Sequence, residues 1–200
     1  MNIGFLASHG GSNMQAIIDA CKAGRLSAVP VVVISNNGES RALERARNEG
    51  IPNYYLSGKT HPDPDSLDQA ILDALILHRV DVVALAGYMK KLGPKTLAHF
   101  RGRILNIHPA LLPKHGGKGM YGIRVHESVI AAGETESGVT VHLVTEEYDR
   151  GPILAQVRVP VMPGDTPETL AERVLVQEHI LYPATLQRIA TGEIILSGEK

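Results

Sequence analysis

Two unbroken apolar runs, Val31-Val32-Val33-Ile34 and Val82-Val83-Ala84-Leu85-Ala86, restrict what this chain can become. A strand with one wet face alternates apolar and polar side chains. A run that is apolar at every position needs cover on both faces, which is the situation of a parallel strand between two layers of helices. Shorter runs at residues 2–7 and 103–107, and a weaker one at 54–56 suited to a sheet edge, extend the pattern. Helical periodicity fills the intervals at 13–24, 39–49 and 65–79, so strands and helices alternate as in βαβ units. Beyond residue 137 the pattern changes. Val139 to Leu143 and Ile153 to Val159 alternate in part and predict an antiparallel pair joined across 145–151. The expected architecture is an α/β fold with a single doubly wound, mostly parallel but mixed sheet flanked by helices. A last helix is expected from Asp165-Thr166-Pro167-Glu168, with Asp165 as its cap, Pro167 in the first turn and Glu168 completing a capping box. It should run toward Arg188, interrupted at Pro183.

The 200 residues are 44% hydrophobic and 20% charged with a formal net charge of −1, which fits one domain spanning 1–200 with a substantial core. Lysine and arginine are scattered, so the basic stripe of a nucleic-acid binder is missing. The apolar runs are strand-sized, and Asn2-Ile3-Gly4-Phe5-Leu6-Ala7 is not a signal sequence, so neither a membrane partner nor export is expected and the location is read as cytoplasmic. Cys21 lies at helical spacing from Met14, Ile17 and Ile18 and reads as a small core residue.

Ligands of doubly wound sheets collect beyond the carboxyl ends of the strands, so the residues after each apolar run carry the functional information. After the first run comes Ser8-His9-Gly10-Gly11-Ser12-Asn13, a glycine-rich turn opening a helix, where free N–H groups and the helix dipole suit a phosphate. It has neither the lysine of an ATP-binding loop nor the third glycine of a dinucleotide fingerprint, which points to a monophosphate. Simple helix capping by Ser12 or Asn13 is the competing reading. After the third run, Gly87-Tyr88-Met89-Lys90-Lys91-Leu92 could line a slot for a flat ligand or pack in the core.

The fourth run ends in Asn106-Ile107-His108-Pro109. Residues two apart on a strand share a face, and the proline keeps His108 extended, so an amide donor and a titratable ring stand together. Such a pair suits an oxygen that gains negative charge during acyl or formyl transfer. A carboxylate near His108 would raise its pKa, and Asp149 in the last strand connection is the candidate. The intervening stretch from Ala110 to Gly122 is rich in glycine and proline and reads as a loop. In the last helix Glu178 falls on the apolar stripe with Leu170, Val174 and Leu181, where a charge wants a polar partner or ligand.

Gly11-Ser12-Asn13, Ala86-Gly87-Tyr88-Met89, Asn106 to Pro113, Asp149-Arg150-Gly151-Pro152 and Gln177-Glu178-His179 together carry a resemblance, over nearly the whole chain, to the folate-dependent formyltransferases. The resemblance implies transfer of a formyl group from 10-formyltetrahydrofolate to the amine of N1-(5-phosphoribosyl)glycinamide in purine biosynthesis, with no metal. Its partners would be that phosphorylated ribonucleotide and the folate, acting on a monomer or homodimer. By the same resemblance Asn106 and His108 hold the oxyanion, and Asp149 raises the His108 pKa and helps move the proton. Gly11, Ser12 and Asn13 hold the phosphate and Glu178 the ribose hydroxyls. Met89, Lys90, Lys91, Leu92 and Asn106 bind the folate. This chain departs from many relatives in having Lys90 for an arginine, Leu175 where a polar phosphate contact is common, no clear counterpart for an arginine near residue 64, and a longer loop from His115 to Gly122. A folate deformylase, a non-enzymatic nucleotide-binding module and a metal hydrolase using His108, His115, His142 and Asp149 are the competing readings.

Overall fold

A computed structural model describes residues 1–196. Thirteen elements follow in chain order: β1 (Asn2–Leu6), α1 (Ser12–Lys22), β2 (Val29–Ser35), α2 (Arg41–Asn48), β3 (Asn53–Tyr55), α3 (Pro64–Leu77), β4 (Val82–Leu85), α4 (Pro94–His99), β5 (Ile104–His108), α5 (Ile123–Ala131), β6 (Glu136–Leu143), β7 (Ile153–Pro160) and α6 (Pro167–Ala190). The seven strands form one sheet in the order β3-β2-β1-β4-β5-β6-β7. β3 to β5 pair in parallel, and β6 and β7 add an antiparallel margin. The mixed, doubly wound architecture read from the apolar runs is therefore the one observed.

The sheet separates two cores. Ile3, Phe5, Val33, Ala84 and Leu105 face α1, α2, α5 and α6, while Leu6, Val32, Val83 and Ile104 face α3 and α4. Alternate residues of β1, β2, β4 and β5 feed opposite layers, which is why the runs inside these strands are apolar on both faces. Strand order turns back between β1 and β4, so the crevice expected of such a sheet opens beyond β1, β4 and β5. Among the described residues no helix is long and apolar enough to cross a membrane.

Three helix details differ from the sequence reading. Thr166, not Asp165, caps α6: its hydroxyl accepts from the Thr169 N–H, and Thr169, not Glu168, returns the bond to the Thr166 N–H. Asp165 is taken by a two-point ion pair with Arg173 and by the Met162 N–H, which hold its carboxyl well below the usual range. α6 also runs through Pro183 without a break. Proline inside a helix costs about 3 kcal/mol. Here Leu170, Val174, Tyr182, Pro183 and Leu186 are all buried along the same helix, and that packing outweighs the lost bond. Finally, α4 and α5 were not anticipated. The buried Asp68 of α3 caps α4 from outside, accepting from the Lys95 and Thr96 N–H groups, and Gly93 lies where any side chain would collide with that carboxylate.

Buried Thr140 of β6 fixes the segment after β5. Its hydroxyl donates to the Ala110 carbonyl at 2.6 Å and accepts from the Leu112 N–H at 3.1 Å and from Gln156 at 2.9 Å. Thr140→Val keeps the shape and strands two buried backbone partners, the Ala110 carbonyl and the Leu112 N–H. We expect a loss of about 2–4 kcal/mol in urea unfolding, together with lower activity from a displaced 109–112 segment.

Candidate active site

The carboxyl ends of β1, β4 and β5 meet α5 and α6 around a cavity of about 690 Å³, a volume suited to small-molecule ligands. Asn106 and His108 both line it, as the two-residue strand spacing required, with Asn13, Met89, Lys90, Asp149 and Glu178. Gly11 and Ser12 lie just outside its walls. A side slot of about 90 Å³, lined by Lys90, Lys91, Leu92, Val144 and Asn106, opens beneath the strand connection that carries Asp149. Of the residues expected to bind ligands, Asn13, Met89, Lys90, Asn106 and Glu178 thus share the main cavity, while Lys91 and Leu92 line only the side slot.

The glycine-rich turn before α1 is built on Gly11, whose φ of +65 leaves the helix N-terminus without a side-chain cap. A side chain at Gly11 would be strained and would press on Ala42. In the first turn, Asn13 donates from Nδ2 to Glu178 of α6, and its buried Oδ1 has no partner. Glu178 therefore finds a partner on the apolar stripe, as its position demanded. Burial nevertheless pushes its carboxyl above the ordinary range, against the Asn13 bond that lowers it.

The catalytic candidates cluster through the antiparallel pairing of β5 with β6, which sets Asn106 opposite His142 and His108 opposite Thr140. His142 is a site member that sequence reasoning missed, having considered it only as a metal ligand. Its Nδ1 donates to the Leu143 carbonyl at 2.9 Å, and its Nε2 lies 3.2 Å from the Asn106 amide nitrogen. Asp149 bridges the two histidines, with Oδ2 3.7 Å from His108 Nδ1 and Oδ1 3.5 Å from His142 Nε2. It also accepts from the Gly117 N–H at 2.9 Å. Burial pushes the Asp149 carboxyl up, but His142, the Gly117 N–H and His108 outweigh it and hold it below the usual carboxylate value. A φ of +55 aims Asp149 inward, in a region that aspartate tolerates. Gly151, two residues on, lies where any Cβ would collide with the Leu143 carbonyl.

One expectation needs correction. Asp149 does favour the His108 cation, but burial is the larger effect, and the His108 pKa lies below its ordinary value rather than above it. The reason is geometric: at 3.7 Å the carboxylate makes no hydrogen bond to a ring that is only 3% exposed. Nε2 of His108 instead donates to the His115 carbonyl at 2.8 Å. The long loop is thus a wall of the cavity, lining it from Gly117 to Gly122 and gripping both His108 and Asp149. Among the described residues no group of three or more His, Cys, Asp or Glu side chains is arranged to hold a metal ion.

Removing the amide beside Glu178 tests the buried Asn13–Glu178 pair. In Asn13→Ala the buried carboxyl loses its donor, so its pKa rises further. An acid whose folded pKa is raised destabilises the fold above that pKa, and the penalty fades as pH falls through it. The variant should therefore lose more melting temperature at about pH 8 than at about pH 4, read by thermal unfolding of both chains across that range.

Known proteins resemble this geometry. The profile of the formyl transferase family matches residues 1–186. Phosphoribosylglycinamide formyltransferase of Escherichia coli (strain K12) is 40% identical over 194 residues, which cover 97% of this chain and 89% of that one. The crystal structure of glycinamide ribonucleotide transformylase 1 from Symbiobacterium toebii superposes with a TM-score of 0.91 at 39% identity, covering 99% of this chain and 91% of that one. A formyltetrahydrofolate deformylase from Pseudomonas syringae shares the fold at 24% identity and a TM-score of 0.86, and this chain spans 63% of it.

Proposed function

The chain belongs to the formyl transferase family, and on that premise we propose that it moves the formyl group of 10-formyltetrahydrofolate to the amine of N1-(5-phosphoribosyl)glycinamide, a step of purine biosynthesis. One observation carries the reading: Asn106 and His108 share a strand face and open, with Asp149 beside them, into the cavity that Asn13 and Glu178 also line. The relatives named for this reaction support the choice of acceptor. The proposal includes residues 1–200 acting as one formyltransferase domain in the cytoplasm, as a monomer or homodimer.

The residues fit both substrates. Leu92 and Val144 supply apolar faces for a pterin at the side slot, while Asn106 supplies a polar edge. The uncapped N-terminus of α1 presents N–H groups to a phosphate. The unpartnered Asn13 Oδ1 and the Glu178 carboxyl suit donation from ribose hydroxyls. The folate brings the formyl carbon, and the acceptor amine attacks it. Asn106 then donates to the formyl oxygen as negative charge grows there. His108 donates to the same oxygen once the His115 carbonyl releases Nε2, and the growing charge offsets the burial that disfavours its cation. Asp149 stabilises that cation and accepts the proton shed by the amine on its way to the departing folate nitrogen.

The deciding experiment follows folate product from 10-formyltetrahydrofolate with and without the ribonucleotide. Release that depends on the ribonucleotide is expected; equal release without it would make the chain a deformylase. Asn106→Ala and His108→Ala should each lower kcat by about 10²–10³ with KM values little changed, the pattern of a group engaged only in the transition state. His108 acts from its protonated form, so kcat falls as pH rises through its pKa. Asp149→Asn removes the charge that opposes burial, and the falling limb should move to lower pH in a kcat profile. An unmoved limb would take Asp149 out of the proton step.

A further inference from the structure

His126 of α5 is a cavity residue to which the mechanism above gives no task. Its side chain is 4% exposed, yet neither ring nitrogen bonds to any group among the described residues, and Nδ1 is enclosed with no partner at all. An imidazole in that condition weakens the fold, because a buried donor or acceptor without a partner carries its full desolvation cost. A leucine or phenylalanine would fill the place better. Among the described residues, five side chains have such an orphaned buried atom, and only two of them, Asn13 and His126, line this cavity. Asn13 stands at the acceptor wall beside Glu178. His126 stands on the same side, because α5 packs against α6, the helix that carries Glu178. It also lies close enough to His108 that a charge on one ring disfavours a charge on the other.

From this placement, which rests on the reading given under Proposed function, we infer that His126 is a substrate-contacting residue that hydrogen bonds the amide linking the acceptor's ribose to its reactive amine. The acceptor is a phosphate, a ribose, an amide and an amine in series. Asn13 and Glu178 take the sugar end and Asn106 and His108 the amine end, so the amide crosses the stretch of wall between them. A neutral imidazole carries one donor and one acceptor, and an amide answers both. Burial, reinforced by His108, lowers the His126 pKa to about 4, so the ring stays uncharged wherever the enzyme works. That neutrality is chemically useful. A carboxylate in the same place would hold the nearby amine as its ammonium, which has no lone pair for attack.

The test compares wild type, His126→Leu and His126→Asn in steady-state assays with the acceptor varied, with folate affinity measured by fluorescence quenching and stability by thermal unfolding. Loss of one directed hydrogen bond should raise the acceptor KM of His126→Leu about tenfold. Folate affinity should hold, and the melting temperature should stay level or rise as the orphaned ring is replaced by an apolar group. His126→Asn restores a neutral donor and acceptor and should recover part of the lost KM. An unchanged acceptor KM in both variants, or an equal loss of folate affinity, overturns the inference. Nitrogen-15 labelled wild type gives an answer independent of variant folding: the ring nitrogens missing from the His126→Asn spectrum should shift when the acceptor is added alone and stay in place with the folate alone. No shift on saturation with acceptor also overturns it. Wild type that turns over folate without any acceptor removes the acceptor reading and this inference together. Acceptor-dependent wild type with an unaltered His126→Leu removes this inference only.

Discussion

The antiparallel pairing of β6 on β5 is the constraint on which the site depends. A one-residue slip would send the whole of β6 to the wrong face. In the observed register Thr140 meets His108 and His142 meets Asn106. Thr140 then reaches the Ala110 carbonyl and the Leu112 N–H, and the strand leads into the connection that returns Asp149 over both histidines. Each of these contacts is local once the register is set, and none is possible without it. β7 reinforces the pairing from the outer edge, where Gln156 bonds both Thr140 and the Leu112 carbonyl.

Within that frame, burial and charge oppose each other. His108 is only 3% exposed, where an imidazolium is disfavoured, and Asp149 beside it favours the charged ring. For His108 burial wins, and the ring rests neutral with its proton on the side of the His115 carbonyl. The arrangement suits a reaction whose own charge completes the balance: an oxygen that becomes negative supplies the attraction that the resting site lacks. A fully charged pair at rest would instead bind the ground state and gain nothing at the barrier.

Much of this was legible in the chain because burial on both faces of a strand leaves an unmistakable signature. Val31 to Ile34 and Val82 to Ala86 could only be covered strands, and the positions just beyond them had to hold the ligand side of the fold. The spacing of Asn106 and His108 placed both in one cavity for the same reason. The parts that escaped depend on distant partners. α4 is six residues long and is capped by Asp68 from another helix, so its own sequence carries little signal. α5 follows a glycine-rich loop whose composition hid it. Asp165 looked like a cap until Arg173, two turns on, claimed it. The sign of the His108 shift required knowing that Asp149 stops short of a hydrogen bond, which is a distance and not a pattern. His142 and His126 are single histidines without a motif around them, and only the fold shows that one touches Asn106 and that the other has no hydrogen-bond partner among the described residues.

Tyr182 joins these features in one place. Its buried hydroxyl lies 3.2 Å from the Leu85 carbonyl and 3.0 Å from that of Leu105, sharing its hydrogen between the end of β4 and the β5 residue that precedes Asn106. α6 follows every strand in chain order, and it also carries Glu178. During synthesis, a nascent chain that has already made all seven strands still has an open seam behind Asn106 and lacks Glu178. The seam between β4 and β5 therefore closes only after every strand of the sheet has been made.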